Sequence, residues 1–250
     1  MSKPSGIVFY RGPSMLDGQP IVAILTGIVK RSRNGKTGSG LYQTWILRAD
    51  LDPLKAVRLG HDFSICGNCK HRGRIVKAAS GRRKNVERKC YVRLDTAPLN
   101  IWNTWKRGRY PDMPPAEARQ LLAGPVRGGS YGDPAAVPFH VWRVLLAGLD
   151  TGTAYTHQWK HFPELASFCM ASVDTPAERE DAKALGFRTF RVRGQDEPRE
   201  AYESVCPASK EAGKRTTCDL CKACGGHQAK AKADIVIMAH GGIGKERLFQ

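Results

Sequence analysis

No run in this chain approaches the roughly 18–20 consecutive apolar residues that a membrane-spanning helix needs, and that argues against a membrane protein. The opening residues Met1-Ser2-Lys3-Pro4-Ser5-Gly6 lack the charged-then-apolar layout of a secretory signal. Acidic residues are scarce, 23 Asp and Glu against 40 Lys and Arg. Hydrolytic signatures are missing as well. There is no Gly-x-Ser-x-Gly elbow, no His-Glu-x-x-His helix and no His-x-Glu paired with Pro-Cys-x-x-Cys. No His-x-His pair exists for a replication nickase. Gly35-Lys36-Thr37 lies in a glycine-rich hairpin loop, Asn34 to Gly40, whose glycine spacing is wrong for a phosphate-binding P-loop, and no helix follows it.

What the chain does have is cysteine. With no export signal the expected compartment is the reducing cytoplasm, where structural disulfides are uncommon. Eight cysteines occur in 250 residues, and seven fall into two local groups. Grouped thiols in a reducing compartment read as metal ligands. Hydrophobic residues make up 41% of the chain, enough for a folded core.

The C-terminal group is Cys206-Pro207 followed by Cys218-x-x-Cys221-x-x-Cys224-Gly225-Gly226. Its four thiolates suit a tetrahedral zinc or a 4Fe–4S cluster. The consecutive C-x-x-C steps are ferredoxin-like and favour iron. The first group, Cys66-Gly67-Asn68-Cys69 and then Cys90-Tyr91, has three cysteines. Either His61, His71 or Cys169 closes a zinc site, or a three-thiolate cluster keeps one iron open. Cys169, alone in an apolar strand, reads more simply as a buried small hydrophobe.

The charge of +17 implies a polyanionic partner, with nucleic acid first. Lys70 to Arg93 concentrates it, ten basic residues against Glu87 alone. The expected contacts are Arg72, Arg74, Lys77, Arg82, Arg83, Lys84, Arg88 and Lys89. Trp102, Trp105, Tyr91 and Tyr110 nearby are candidates for base stacking, although Trp102 and Trp105 also suit the packed face of a short helix.

Residues 1–60 read as a β-rich segment with strands at Ile7–Tyr10, Ile21–Val29 and Tyr42–Arg48. Residues 61–250 read as an α/β metal-binding domain, with a cluster loop at 61–95 and a second cysteine site at 206–226. From about residue 125, strands and helices alternate, as in βα units on a parallel sheet. Thr175-Pro176-Ala177-Glu178 is a capping box that opens a helix ending at Gly186. The strands deliver Asp133, His157, Asp174, Arg191 with Arg193, and His240 at their ends. Carboxyl ends of parallel strands build active sites, which makes Asp133, His157 and Asp174 the catalytic candidates. The plainer alternative is helix caps and turns.

These motifs together resemble a loose family of phage- and plasmid-borne proteins related to radical-SAM enzymes. The resemblance rests on Cys66, Cys69, Cys90-Tyr91, Tyr131-Gly132-Asp133 and Tyr155-Thr156-His157-Gln158-Trp159. It continues through Met170 to Asp174 and the closing cysteines, and covers roughly residues 61–240. It implies a partial TIM-like barrel with a three-cysteine 4Fe–4S cluster at its mouth and a second cluster near the C-terminus. It further implies S-adenosylmethionine as co-substrate, approached by Gly128-Gly129-Ser130, and an external electron donor. The family motif C-x-x-x-C-x-x-C differs from this chain, where Cys90 lies far beyond Cys69. The expected function is a radical-SAM-like enzyme acting on nucleic acid or another polyanion. The alternative is a nucleic-acid-binding protein with structural zinc or iron–sulfur sites.

Overall fold

The computed structural model describes residues 3–30, 35–230 and 232–239. His240 and the basic Arg31 and Arg33 lie outside the described residues. Strands β1 (Gly6–Pro13), β2 (Pro20–Thr26) and β3 (Tyr42–Arg48) come first. Helices α1 (Pro53–Leu59) and α2 (Phe63–Cys66), strands β4 (Arg74–Lys77) and β5 (Arg83–Val86), and helices α3 (Ala97–Lys106) and α4 (Pro115–Gln120) follow. The remainder runs β6 (Val126–Tyr131), α5 (Phe139–Leu145), β7 (Thr151–Thr156), β8 (Met170–Val173), α6 (Pro176–Ala184), β9 (Thr189–Arg193), β10 (Glu203–Val205), α7 (Cys218–Cys221) and β11 (Asp234–Met238).

Nine strands make one sheet in the order β1-β2-β3-β6-β7-β8-β9-β11-β10. β1, β2 and β3 are antiparallel neighbours. From β3 onward every pairing is parallel. β3 joins β6 with Gln43 opposite Arg127, so the β-rich N-terminal segment and the α/β part share one sheet. The order never reverses between β1 and β9, unlike a doubly wound sheet with its switch point. β1 and β10 are the two edges, so the described strands form an open sheet and not a closed barrel.

β2 is buried along Ile21–Leu25 because both faces of the sheet are covered there. It stops at Thr26, short of Val29, because Gly27 turns to φ +95°. α6 begins as its capping residues dictate, with Thr175 accepting from the Glu178 N–H at 3.2 Å. The Glu178 carboxylate reaches back one residue further than a standard box, to the Asp174 N–H at 2.8 Å.

Alternation along the strands separates two cores. Ala154, Ala171, Val173 and Phe168 belong to the main core, with Trp142 fully buried in it. Met170, Ile235 and Ile237 line the smaller core on the opposite face, packed with Tyr155, Phe190 and Val192 and with Cys206 and Cys224.

Candidate functional site

Cys66 closes α2, and the next residue, Gly67, takes φ +54°. A Cβ at Gly67 would sit 2.5 Å from the Gln158 side chain, so only glycine fits. Gln158 clamps this loop. Its amide Nε2 donates to the Cys66 carbonyl at 3.1 Å, and its Oε1 accepts from the Asn68 N–H at 3.3 Å. After Cys69 and a single turn over Lys70–Arg72, the chain leaves as the β4–β5 hairpin, with Arg74 opposite Val86 and Lys77 opposite Arg83. The hairpin brings the chain back to its point of departure. The Cys90 N–H donates to the His71 carbonyl at 2.9 Å.

The three thiols of this group lie within electrostatic reach of one another. Burial pushes Cys66 well above the ordinary thiol range, with Asp62, Cys69 and Cys90 adding to it. Burial likewise raises Cys69, with Cys90 next in effect. The Tyr131 phenol is buried beside them and has no hydrogen-bond partner. Its pKa is pushed up by burial and then by Cys66. Cys169 is fully buried in the main core, and His61 is exposed beyond α1.

Asp133, His157 and Asp174 follow β6, β7 and β8, at the carboxyl end of the sheet. Asp133 is buried. One oxygen accepts from the Ala135 N–H at 3.0 Å and the other from the His157 N–H at 2.8 Å. Burial raises its carboxyl to about 6. His157 stacks edge-on with His71 at 5.4 Å, and its Nε2 is buried with no hydrogen-bond partner. Burial lowers its pKa to about 4, and the neighbouring His71 adds to the shift. Asp174 is held by the Lys70 ammonium at 3.1 Å, with His71 Nε2 3.8 Å away. These three residues therefore meet beside the first cysteine loop. Arg191 and Arg193 do not join them. Arg191 makes a buried ion pair with Glu203 at 2.6 Å, and Arg193 pairs with Glu211.

Gly128 and Gly129 are committed to packing and turn geometry. A Cβ on Gly128 would meet Ala154 at 3.0 Å. Gly129 has φ +68° and donates its N–H to Thr44 Oγ1 at 2.8 Å. Ser130 stands in the wall of an open cavity of ≈ 490 Å³, while its hydroxyl is shut off from solvent and has no hydrogen-bond partner.

The second cysteine group stands on the small-core face. Cys206, Cys218, Cys221 and Cys224 all line one cavity of ≈ 30 Å³, walled by Tyr155, Phe190 and Ile235. Cys224 is tied to β7 through the Ala154 N–H, which donates to its carbonyl at 3.0 Å. Burial raises the Cys224 thiol to about 12. The glycine-rich loop from the N-terminal segment closes this site. The Cys218 N–H donates to the Lys36 carbonyl at 3.0 Å, and Asp219 Oδ2 accepts from the Gly40 N–H at 2.8 Å. The Asp219 carboxylate occupies the space a Cβ on Gly38 would need. Burial lowers the Lys36 pKa, while Cys206, Cys218 and Cys224 act to raise it.

Arg127 lies between the two groups. Its guanidinium donates to the Tyr91 hydroxyl at 2.8 Å, beside Cys90, and it interacts electrostatically with Tyr155 and Cys218. Lys36, Arg127, Tyr131 and Gln158 carry no motif of their own, so no sequence signal points to their roles. Tyr131 and Gln158 stand out in the chain only as neighbours of Asp133 and His157.

The expected nucleic-acid residues divide in two. Arg72 donates to the Gly67 and Gly60 carbonyls and pairs with Asp62 at 2.7 Å, while Arg88 donates to the Cys90 and Val92 carbonyls. Both brace the cysteine loop. Lys89 is half-buried, and its charge helps to lower the His71 pKa. Lys77, Arg82, Arg83 and Lys84 are exposed on the hairpin, and Arg74 is exposed but paired with Glu87. Trp102 donates its indole N–H to the Arg48 carbonyl at 3.0 Å and stands 6.4 Å from Trp105, which is helix packing.

Among the described residues, no three His, Cys, Asp or Glu side chains converge on a single metal ion. No helix of the described residues is long and apolar enough to cross a membrane. Set against protein families, curated proteins and solved structures, the chain returns no match.

Proposed function

We propose that this chain is a radical-SAM-like iron–sulfur enzyme of the cytoplasm, acting on nucleic acid or another polyanionic substrate. The observation that carries the reading is the hydrogen bond from Cys90 to His71. It brings the third thiol back beside Cys69 and reduces the long spacing in sequence to a short one in space. Cys66, Cys69 and Cys90 would hold one 4Fe–4S cluster and leave one iron without a protein ligand. Cys206, Cys218, Cys221 and Cys224 would hold the second around their common cavity. Such a cluster, once reduced by an external electron donor, supplies one-electron chemistry to S-adenosylmethionine. Strands laid down in consecutive order suit the partial barrel that this reading expects, and the two cavities lie on one face of the sheet.

The chain's own residues then have defined tasks. Gln158 and Arg72 fix the cysteine loop. Asp133 orients the backbone at His157, whose neutral ring presents a free Nε2 that can accept a proton. Lys70 holds Asp174 at the strand end, within reach of substrate or a cofactor ribose.

The test is an anaerobic preparation analysed for iron, sulfide, zinc and visible thiolate-to-iron absorption. Reduction with dithionite in the presence of S-adenosylmethionine follows. Iron in both sites and release of 5′-deoxyadenosine support the proposal. A colourless protein carrying only zinc sinks it. The exposed basic hairpin favours one second reading, a metal-stapled nucleic-acid binder. That reading requires binding to survive Cys66→Ser and fail when Arg82, Arg83 and Lys84 are neutralised.

A further inference from the structure

The ≈ 490 Å³ cavity is open to solvent and is lined by Tyr91, the neighbour of Cys90. It shares a sheet face with the C-terminal cysteines, because Gln43 and Arg127 in its wall stand in register with Thr153 in theirs. Its volume falls in the range of small-molecule sites. The chemistry of its wall is uneven. Arg127, Arg93 and Lys30 contribute positive charge, and no Asp or Glu is among the described residues that line it. Tyr110 and Tyr91 contribute aromatic surface, and Gln43 a neutral hydrogen-bonding group. Arg93 is ion-paired with Asp95 at 3.0 Å, where both side chains are exposed. Arg127 is anchored by Tyr91. Ser130 is only 5% exposed, and its hydroxyl has no hydrogen-bond partner. That oxygen is shut off from the cavity, so Gln43 supplies the neutral hydrogen-bonding group that a ligand reaches.

We infer that this cavity binds a single nucleotide. The base stacks on Tyr110, Gln43 reads its edge, and the phosphate meets Arg127 and Arg93. Aromatic faces take any base, an arginine fork suits a phosphate, and neutral polar groups discriminate among bases. An aliphatic acid would leave the aromatic wall unused, an uncharged sugar would leave the arginines unused, and a cation would meet Arg127, Arg93 and Lys30. The inference deepens the substrate half of the proposed function and rests on that reading only for its polyanionic substrate. The nucleotide has two possible sources, a free mononucleotide or one nucleotide of a strand gripped by the β4–β5 hairpin.

The experiment is calorimetric titration of the full chain, as purified, with the four nucleoside 5′-monophosphates, the matching nucleosides and a short single-stranded oligonucleotide. A mononucleotide that binds, and that competes with the oligonucleotide, identifies a free nucleotide. Binding of the oligonucleotide alone identifies a nucleotide presented by a strand. In either case Gln43→Leu, which removes the amide at similar size, weakens binding by roughly tenfold with unchanged circular dichroism. Arg127→Gln weakens phosphate-bearing ligands and leaves nucleosides unaffected. The inference is overturned if nothing binds, or if both variants bind like the parent while hairpin variants do not. Iron is measured on the same samples, so a metal-free chain that binds nucleotide defeats the cluster reading alone.

Discussion

The backbone N–H of Cys90 donates to the carbonyl of His71 at 2.9 Å, closing the β4–β5 hairpin at its base. Arg88 reinforces that closure by donating to the carbonyls of Cys90 and Val92. The hairpin is thus an arm inserted into a continuous cysteine loop, and the thiols do not depend on its outer end. Charge is carried on the arm and thiols at its root, so the two can be separated by mutation.

Replacing Lys77–Lys84 by a short Gly-Ser linker, which keeps Asn85 bonded to the Val57 and Arg72 carbonyls, leaves the metal content unchanged and weakens polyanion binding. The log–log salt slope of binding falls by about 0.9 for each phosphate that the arm no longer neutralises. Metal analysis and salt titration of the two proteins check both outcomes. Loss of metal on excision would show that the arm is part of the site.

Cys90→Ser and Cys221→Ser each remove iron from one group and spare the other. Elemental analysis after anaerobic purification shows each variant with about half the iron of the parent, as expected of two independent clusters. If either variant loses all its iron, the sites are coupled.

Gly67→Ala destabilises the chain by roughly 1–3 kcal/mol, because it forces an L residue to φ +54° and drives a methyl group into Gln158. Adding Gln158→Ala removes the collision but also the two hydrogen bonds with which Gln158 clamps the loop, and it leaves the backbone strain, so the double variant is no more stable than Gly67→Ala. Denaturant midpoints therefore place the parent above both variants. A Gly67→Ala midpoint equal to the parent's would show that neither the left-handed backbone nor the Gln158 contact constrains this position.

Asp133 and His157 have opposite effects on the pH dependence of stability. Between the ordinary aspartate range and about 6, the folded chain keeps the Asp133 proton that the unfolded chain has lost, so this contribution declines as pH rises. Between about 4 and the ordinary histidine value of 6.5, the unfolded chain protonates His157 while the folded chain does not. That contribution is complete above 6.5 and lost as pH falls toward 4. Each is worth about 3 kcal/mol by the size of its shift, and over pH 4–6 they largely cancel. His157→Gln uncovers a stability that falls as pH rises through this window, measured by urea denaturation at several pH values. An unchanged profile in the variant would show that His157 titrates normally.

Arg191→Ala costs roughly 3–5 kcal/mol, because it strands the Glu203 carboxylate with which Arg191 pairs in a site about 3% exposed on both sides. The double substitution Arg191→Met, Glu203→Leu recovers most of this, and metal content is unchanged throughout. A loss of iron in the double variant would give this pair a part in the site.

Elements with local signals are legible along the chain. The parallel strands and the α6 cap can be read there because alternation and capping act over a few residues. Cys218, Cys221 and Cys224 read as one group because a single turn holds them. What those signals join is set by contacts between distant segments. Nothing local in β3 shows that it pairs with β6, nor that Lys36 and Gly40 close over Cys218 and Asp219. The basic stretch between Cys69 and Cys90 reads as a loop because its alternation is masked by charge on both faces, and only pairing of β4 with β5 makes it a hairpin. Asp133 illustrates the division most clearly. Its place at a strand end is legible in the sequence. Its use as a buried acceptor for the Ala135 and His157 N–H groups depends on the β6–β7 pairing, a contact between segments distant in the chain that no local pattern encodes.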